Sequence, residues 1–545
     1  MAILDWIIIA LFLLALIGII VWVMKHRTGN TSDYFLSGRS ETWLTVGAAI
    51  FAANIGSEHL VGLAGAGAES GMAMAHWEMQ GWMILILGWV FVPFYAHSKV
   101  FTMPEFLSRR FNQNASSTLS IITLISYVLT KVSVTAFTGG IFLETILGIN
   151  FWYGAIGLVL LTGIFSVLGG MKGIMVISVV QTPILIVGSL TILVLGLMKI
   201  GGGGIIDGWH TTLEYIGENR HLIHSDPSDP LFSKFPGVGV IFGAAIIGFW
   251  YWCTDQHIVQ RVLAAKDLKN ARRGTIFAGF LKVLPVFMFL IPGMIAAALK
   301  AKGVDGFNFD SNDKAFGSMV LNLLPMGIKG LVTVGFIAAL VTSLAAHFNS
   351  SATLFTIDFY KHKHPNASES RLVWVGRIAT ITVVFLGLIW IPIMRGLGNV
   401  LYEYLQEVQS LIAPAIAAVF VLGVFNKRIT PKAGEWGLLI GFMVGMIRLA
   451  LMIFKGSIPA DSIFGQFLAI NWLYFCIFLF VFTMAVMFII SYFTPKATEE
   501  QLKGITYFTQ GSGQIADTRA SWSTIDIITS IGVVAICVAF YIYFW

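Results

Sequence analysis

The chain has 545 residues, of which 57% are hydrophobic and 11% are charged, and its formal net charge is +6. A soluble protein carries about a quarter charged residues, so this composition excludes a soluble domain and indicates an integral membrane protein. Basic loops that set membrane topology explain the positive net charge better than nucleic-acid binding does, because the sequence has no basic patch with interleaved aromatic residues.

Long apolar segments recur along the whole chain and predict an all-α integral membrane protein with about fourteen transmembrane helices. Each segment is long enough to cross a bilayer, and none shows the alternation of a barrel strand. The segments are 4–24, 43–68, 77–98, 117–147, 151–168, 174–199, 237–262, 275–299, 327–359, 372–393, 400–425, 434–454, 470–493 and 524–544.

The short loops between these segments predict the orientation. Lys and Arg collect on one side, about twenty against about nine, which makes that side the cytoplasm and places both termini outside the cell or in the periplasm. The first segment is too long for a signal-peptide core and is expected to remain as a helix. We therefore expect a multi-pass protein of the plasma or inner membrane.

The second segment, residues 43–68, is interrupted near its middle by Asn54, Gly56, Ser57, Glu58 and His59. Such a break leaves backbone groups unpaired, which a membrane tolerates only where they line a cavity or bind a ligand. A polar break at mid-membrane depth is typical of a transporter site. The alternative is a helix that is kinked for packing, with its polar residues facing neighbouring helices.

A second polar interruption follows five segments later, in 237–262, where Tyr251, Trp252, Asp255 and Gln256 stand within an apolar run. The odd number of intervening crossings places the two interrupted helices in opposite orientations. This pattern is typical of an inverted-topology repeat with broken first helices.

Several motifs resemble those of the sodium:solute symporter family, and specifically its sodium/glucose cotransporter branch. These motifs are NIGSEHLVGLAGAGAESG, FWYWCTDQHIVQR, FLKVLPVFMFLIPGMI, SLAAHFNSSATLFTIDFY and YLQEVQSLIAPAIAAVF. The resemblance covers roughly residues 30–490 and implies a five-plus-five inverted-repeat core of the leucine-transporter type. The implied units are an extra N-terminal helix (1–30), the first repeat (40–200), an extracellular loop (201–236), the second repeat (237–425) and peripheral C-terminal helices (430–545).

The resemblance also implies a sugar site. Such a site needs mixed hydrogen-bond donors and acceptors in a dry pocket. For single residues other roles stay open: a core histidine, an interfacial carboxylate, a snorkelling lysine, or a glutamine that joins helices. The implied substrate residues are Asn54, His59, Glu78, Tyr251, Trp252, Lys282 and Gln406, and the implied gates are Leu63, Trp77 and Tyr402 on the outer side and Tyr251 on the inner side.

A sodium site is implied beside the helix break, where oxygen ligands suit a hard cation. The matching groups are the carbonyls of Ala52, Ile55 and Ala339 and the hydroxyls of Thr342 and Ser343. Hydroxyls in a helix can instead bond back to the preceding turn.

Departures from the family pattern bear on the sodium stoichiometry and on the substrate. Ser178 stands where many members have aspartate, and Ala345 and Ala346 stand where members with a second sodium site have hydroxyl residues. We therefore expect one sodium ion per substrate. Gly248 replaces a polar residue of sugar-transporting relatives, which leaves the exact substrate open.

The implied function is sodium-coupled symport of a monosaccharide, glucose or galactose, into the cell by alternating access. The expected partners are the sugar, Na⁺ and the lipid bilayer, the expected functional unit is a monomer, and no enzymatic activity is expected. An alternative is a symporter of myo-inositol or another polyol. Two others are a membrane enzyme that uses Glu58 and Glu78 as a carboxylate pair and a sensor that binds sugar without moving it.

Overall fold

The computed structural model describes residues 1–26, 30–56, 58–395 and 401–545, excluding the side chains of 129, 393–395 and 401–404. Throughout these residues the chain is helical, with isolated β-bridges and no strand. Twelve helices are long and apolar enough to span a membrane, or thirteen if one bent pair counts as a span. The prediction of an all-α membrane protein is confirmed.

We label the long helices α1 to α14 in chain order, with the two halves of the bent pair as α2 and α3. Shorter helices lie in the connections, for example Gln256–Leu263 after α7 and Ala315–Leu323 before α9. The labelled helices are α1 (Ile3–His26), α2 (Trp43–Asn54), α3 (Glu58–Ser70), α4 (Ala75–Ser98), α5 (Gln113–Leu147), α6 (Phe151–Ile200), α7 (Gly237–Thr254), α8 (Leu268–Ala301), α9 (Ile328–Lys361), α10 (Glu369–Arg395), α11 (Leu401–Phe425), α12 (Pro431–Ile453), α13 (Trp472–Phe493) and α14 (Thr524–Phe544).

Helix α6 covers 50 residues, but it consists of two helices that meet at a kink at Gly170, between the predicted segments at 151–168 and 174–199. At about 1.5 Å per residue its length would be about 75 Å, more than twice the hydrocarbon thickness of a bilayer. Gly170 interrupts it with φ 54° and ψ −157°, a backbone conformation that is essentially restricted to glycine. The count of fourteen crossings, which requires α6 to cross twice, stays a prediction.

Helix α9 lies at the centre of the molecule, and every residue from 332 to 354 is buried. Helix α1 lies at the periphery, where it packs on α6 and α9 and exposes side chains such as Leu14 and Ile17. A helix that is apolar on all sides is stable at a lipid boundary, whereas one that is enclosed on all sides can carry polar groups only where they have partners or ligands. Polar residues on α9 therefore need an explanation.

Two local breaks orient polar side chains toward the centre. Helix α2 ends at Asn54, Ile55 is extended, and α3 starts at Glu58 with a bend of 59° between the two axes. Helix α8 is interrupted by a turn at Lys282 and Val283. Pro285 explains this turn, because it lacks an N–H and its ring clashes with the carbonyl four residues earlier.

Candidate functional site

The break between α2 and α3 opens onto a narrow cavity of about 30 Å³ that is lined by α2 to α5, α7, α8 and α11. This volume holds about one or two water molecules, so a larger ligand requires the lining side chains to move apart. Six of the seven predicted substrate residues line this cavity, together with the predicted gate residue Trp77, and the seventh, Glu78, lies behind them in contact with Lys282 and His59. The further lining residues are Glu58, Gln80, Lys131, Ile247, Gly248, Leu405 and Gln409.

A buried ion pair joins α8 to α4 at one wall of the cavity. Lys282 Nζ lies 2.5 Å from Glu78 Oε2 and also donates to Asn54 Oδ1 at 3.1 Å. His59 Nε2 lies 3.5 Å from the other carboxylate oxygen of Glu78. Lys282 is 3% exposed and Glu78 is fully buried. The possibility that Lys282 snorkels to an interface is thereby excluded, because its ammonium group is held inside the protein by Glu78 and Asn54.

The aromatic residues of α7 form the adjacent wall. The rings of Tyr251 and Trp252 meet at a centroid distance of 4.9 Å in an edge-to-face arrangement. The Tyr251 hydroxyl accepts a hydrogen bond from Asn54 Nδ2 at 3.1 Å and lies 3.2 Å from His257 Nε2. Tyr251 thus links the end of α2 to residues that follow α7, as expected for a side chain that closes one side of the cavity.

Gln80 occupies the space that is left by Gly248. A Cβ atom at 248 would lie 2.5 Å from Gln80 Oε1, so no larger residue fits there without displacing this amide. Gln80 accepts a hydrogen bond from Trp252 Nε1 at 3.2 Å and donates to the Ala244 carbonyl at 2.9 Å. The polar group that the sequence lacks at 248 is therefore supplied from α4.

The predicted sodium residues lie where α2 ends against α9, and all five are buried. The end of α2 frees its last carbonyls from helical pairing, which makes those of Ala52 and Ile55 available as ligands. The Thr342 hydroxyl contacts Gln181 Oε1 at 3.0 Å and the carbonyls of Ala338 and Ala339 in its own helix. The Thr342 hydroxyl therefore bonds to the preceding turn of its own helix, which is the alternative role given above for such hydroxyls.

The structure describes the side chains of two of the three predicted outer-gate residues, Trp77 and Leu63. Trp77 lines the cavity and stacks on Trp472 of α13 at a centroid distance of 5.8 Å. Leu63 is fully buried on α3 but is not among the described residues that line the cavity. The Tyr402 side chain lies outside the described part of the structure, as does Ser57.

Four polar residues of the cavity were missed as site residues in the sequence: Glu58, Gln80, Lys131 and Gln409. Lys131 lies over the Tyr251 ring, with its ammonium nitrogen 4.5 Å from the ring centroid. Gln409 follows Gln406 by three residues and so shares its helix face, a spacing that could have indicated it. Gln80 could not be found this way, because the helix that holds Glu78 stops there and begins again at Gly81.

Comparisons with known proteins identify the family of the chain. The profile of the sodium:solute symporter family matches residues 34–441. The sodium/myo-inositol cotransporter 2 of Oryctolagus cuniculus is 35% identical over 536 residues, covering 93% of this chain and 79% of that protein. The sodium/glucose cotransporter 4 of Mus musculus is 33% identical over 540 residues, covering 93% of this chain and 78% of that protein.

Among solved structures, the fold is similar to that of a Na⁺-coupled sialic acid symporter in a substrate-bound outward-open state, with a TM-score of 0.76. The sequence identity is 18%, and the match covers 91% of this chain and 99% of that one. At that identity the likeness concerns the fold alone. The family profile and the curated relatives, each spanning most of the chain, carry the assignment: this protein belongs to the sodium:solute symporter family.

Proposed function

We propose that this protein couples the inward movement of Na⁺ to the uptake of a monosaccharide such as glucose or galactose. The observation that carries the proposal is that buried polar atoms without hydrogen-bond partners point into one cavity. Trp77 Nε1 is such a donor, and Gln406 Oε1 is such an acceptor. Buried polar groups are nearly always paired, and a ligand whose hydroxyls both donate and accept would satisfy both kinds.

The aromatic wall supports a ring-shaped substrate. Tyr251 and Trp252 provide apolar surface beside the polar groups of Asn54 and Lys282. A pyranose has apolar C–H faces and a polar rim, so this combination fits it. Trp77 covers the cavity from α4 as part of the outer gate, with Leu63 and Tyr402, while Tyr251 closes the inner side.

Sodium binds between the end of α2 and the middle of α9, with the carbonyls of Ala52, Ile55 and Ala339 and the hydroxyls of Thr342 and Ser343 as ligands. One ion is transported with each substrate. The Ser178 hydroxyl donates to the Ile174 carbonyl of its own helix at 2.7 Å, and alanines 345 and 346 supply no side-chain oxygen. These features leave little to hold a second Na⁺.

Transport proceeds by alternating access between two inverted repeats, 40–200 and 237–425, in a monomer with both termini outside the cell. Na⁺ holds the broken helix in an outward-open form, the substrate closes the outer gate, and release of Na⁺ to the cytoplasm loosens the site. The membrane potential contributes about 2.3 kcal/mol per charge per 100 mV. No group of the protein needs to react chemically with the substrate.

A second candidate substrate is myo-inositol. Its support comes from the curated relatives, since a protein named as a sodium/myo-inositol cotransporter is 35% identical to this chain. A cyclic polyol would use the same donors and acceptors. An enzyme acting through Glu58 and Glu78, or a sensor, finds no support in a family of transporters.

The test is uptake of radiolabelled glucose, galactose and myo-inositol into proteoliposomes under an inward gradient of Na⁺ or of K⁺. We expect accumulation of one of the three with Na⁺ alone, and its loss in Gln406→Ala. The matched control is Gln466→Ala, because Gln466 lies exposed on a connecting helix. Accumulation that is equal in Na⁺ and K⁺, or absent for all three compounds, would contradict the proposal.

A further inference from the structure

Glu58 is the first residue of α3 after the break, it is 4% exposed, and no contact with the substrate has been proposed for it above. Its Oε2 atom is buried without a hydrogen-bond partner. Among the described residues no cation lies within ion-pair distance of its carboxylate; the ammonium group of Lys282 is held by Glu78, and that of Lys131 lies over the Tyr251 ring. A buried carboxylate oxygen without a partner is costly, so this oxygen favours a ligand.

A second unpartnered oxygen lies beside it. The Ser343 hydroxyl of α9 is fully buried and has no hydrogen-bond partner, unlike that of its neighbour Thr342. Gly56 limits the distance between these two oxygens. A Cβ atom built on Gly56 would lie 2.3 Å from Glu58 Oε2 and 2.6 Å from Ser343 Oγ. The two oxygens therefore lie within about 5 Å of each other.

This separation suits two ligands of one hard cation. Ca²⁺, a hard cation of similar size to Na⁺, binds oxygens at about 2.3–2.6 Å, so that two of its ligands lie up to about 5 Å apart. Hard cations prefer carboxylate, carbonyl and water oxygens. Only glycine fits at 56, because a Cβ there would collide with both oxygens, and the freed carbonyls of the α2 terminus lie next to them.

We propose that Glu58 is a direct ligand of the transported sodium ion, through Oε2, so that the sodium site of this protein carries a full negative charge. This inference rests on the proposed sodium-coupled function and extends it. Because Glu58 also lines the cavity, its carboxylate lies between the ion and the substrate. Sodium binding then removes the negative charge that this carboxylate would otherwise present to the cavity.

The test compares Glu58→Gln with wild type in purified protein, using stabilisation against heat by NaCl at constant ionic strength, with KCl as the replacement. We expect the Na⁺ concentration for half-maximal stabilisation to rise about tenfold or more, because a unit charge near an ion in a low-dielectric site dominates its binding. Glu69→Gln is the matched control: Glu69 lies at the other end of α3, and its side chain is 37% exposed. The control should leave the Na⁺ dependence unchanged.

Glu58→Asp provides a second measurement should the glutamine variant fail to fold. It keeps the charge but withdraws the oxygen by one methylene, so the half-maximal Na⁺ concentration should rise several-fold while full stabilisation is still reached. An unchanged Na⁺ dependence in either folded variant would overturn the assignment.

Uptake assays separate this result from the proposed function. If wild type shows Na⁺-dependent stabilisation that Glu58→Gln loses, yet accumulates no sugar or polyol, the substrate proposal fails and the ligand assignment stands. If wild type accumulates substrate and the Na⁺ dependence of Glu58→Gln is unchanged, the ligand assignment alone fails.

Discussion

The buried ion pair between Lys282 and Glu78 supports a prediction that separates stability from transport. Replacing Lys282 by Met removes the cation and leaves Glu78, which is fully buried, with an uncompensated charge. Breaking a buried pair from one side costs about 3–5 kcal/mol, whereas replacing both partners is often nearly neutral. We therefore expect Lys282→Met to lower the free energy of unfolding by about 3–5 kcal/mol.

The double variant Lys282→Met/Glu78→Gln should recover most of this loss, because neither remaining side chain carries a charge. It should nevertheless not transport, since the wall of the cavity would lose the ammonium group of Lys282. The measurement is the free energy of unfolding in mixed micelles titrated with SDS, together with Na⁺-dependent uptake for each of the four proteins in the cycle.

The geometry makes the expected coupling large. Lys282 Nζ and Glu78 Oε2 are 2.5 Å apart, and the two single variants share this contact. Residues in direct contact show interaction free energies of about 0.5–3 kcal/mol or more when they form one network. Additive effects of the two substitutions, or a loss below about 1 kcal/mol in Lys282→Met, would refute the view that the pair is energetically coupled.

Three further predictions concern the cavity, the connection between α8 and α9, and the stoichiometry. Gly248→Thr should weaken substrate binding about tenfold, because the larger side chain displaces the Gln80 amide. The double variant Gly248→Thr/Gln80→Ala should recover part of the affinity. Equal uptake by the single and the double variant would contradict this prediction. Burial, with a contribution from the Glu69 carboxylate, raises the pKa of Asp313 to about 6. The folded protein therefore retains this proton to higher pH than the unfolded chain does. The free energy of unfolding should fall by up to about 3 kcal/mol as pH rises from about 4 to about 6. In Asp313→Asn, thermal unfolding should no longer show this part of the pH dependence. The Na⁺ dependence of uptake should have a Hill slope of about one, and a slope of about two would show that a second sodium site exists despite Ser178.

Much of the fold could be predicted, because spanning helices must satisfy their backbone internally and so appear as long apolar runs. The break after Asn54 was also visible, since polar and glycine residues there interrupt such a run. The interruption between 168 and 174 was predicted as well, but the backbone conformation of Gly170 within it was not, because it leaves the apolar pattern on both sides unchanged.

The site was predicted less completely, for a physical reason. Asn54, Glu78, Tyr251 and Lys282 come from four helices, and only the resemblance to a family indicated that they meet. The position of Gln80 depends on the interruption of α4 after Glu78, which turns a residue two places later into the same cavity. In an uninterrupted helix, residues two places apart do not share a face, so periodicity argued against it.

The arrangement of the break explains how ion and substrate can depend on each other. The side chain of Asn54 lines the cavity and bonds to Tyr251 and Lys282, while Gly56, two residues later, lies against Ser343 of α9. Groups of the proposed ion site and of the proposed substrate site therefore lie within a few residues at the end of α2, and a shift that improves one set of contacts moves the other. Thermodynamic linkage requires the effect to be reciprocal: the factor by which Na⁺ raises substrate affinity is the factor by which substrate raises Na⁺ affinity. A regular helix through residues 54–58 would pair these carbonyls internally and would remove the connection between the two sites.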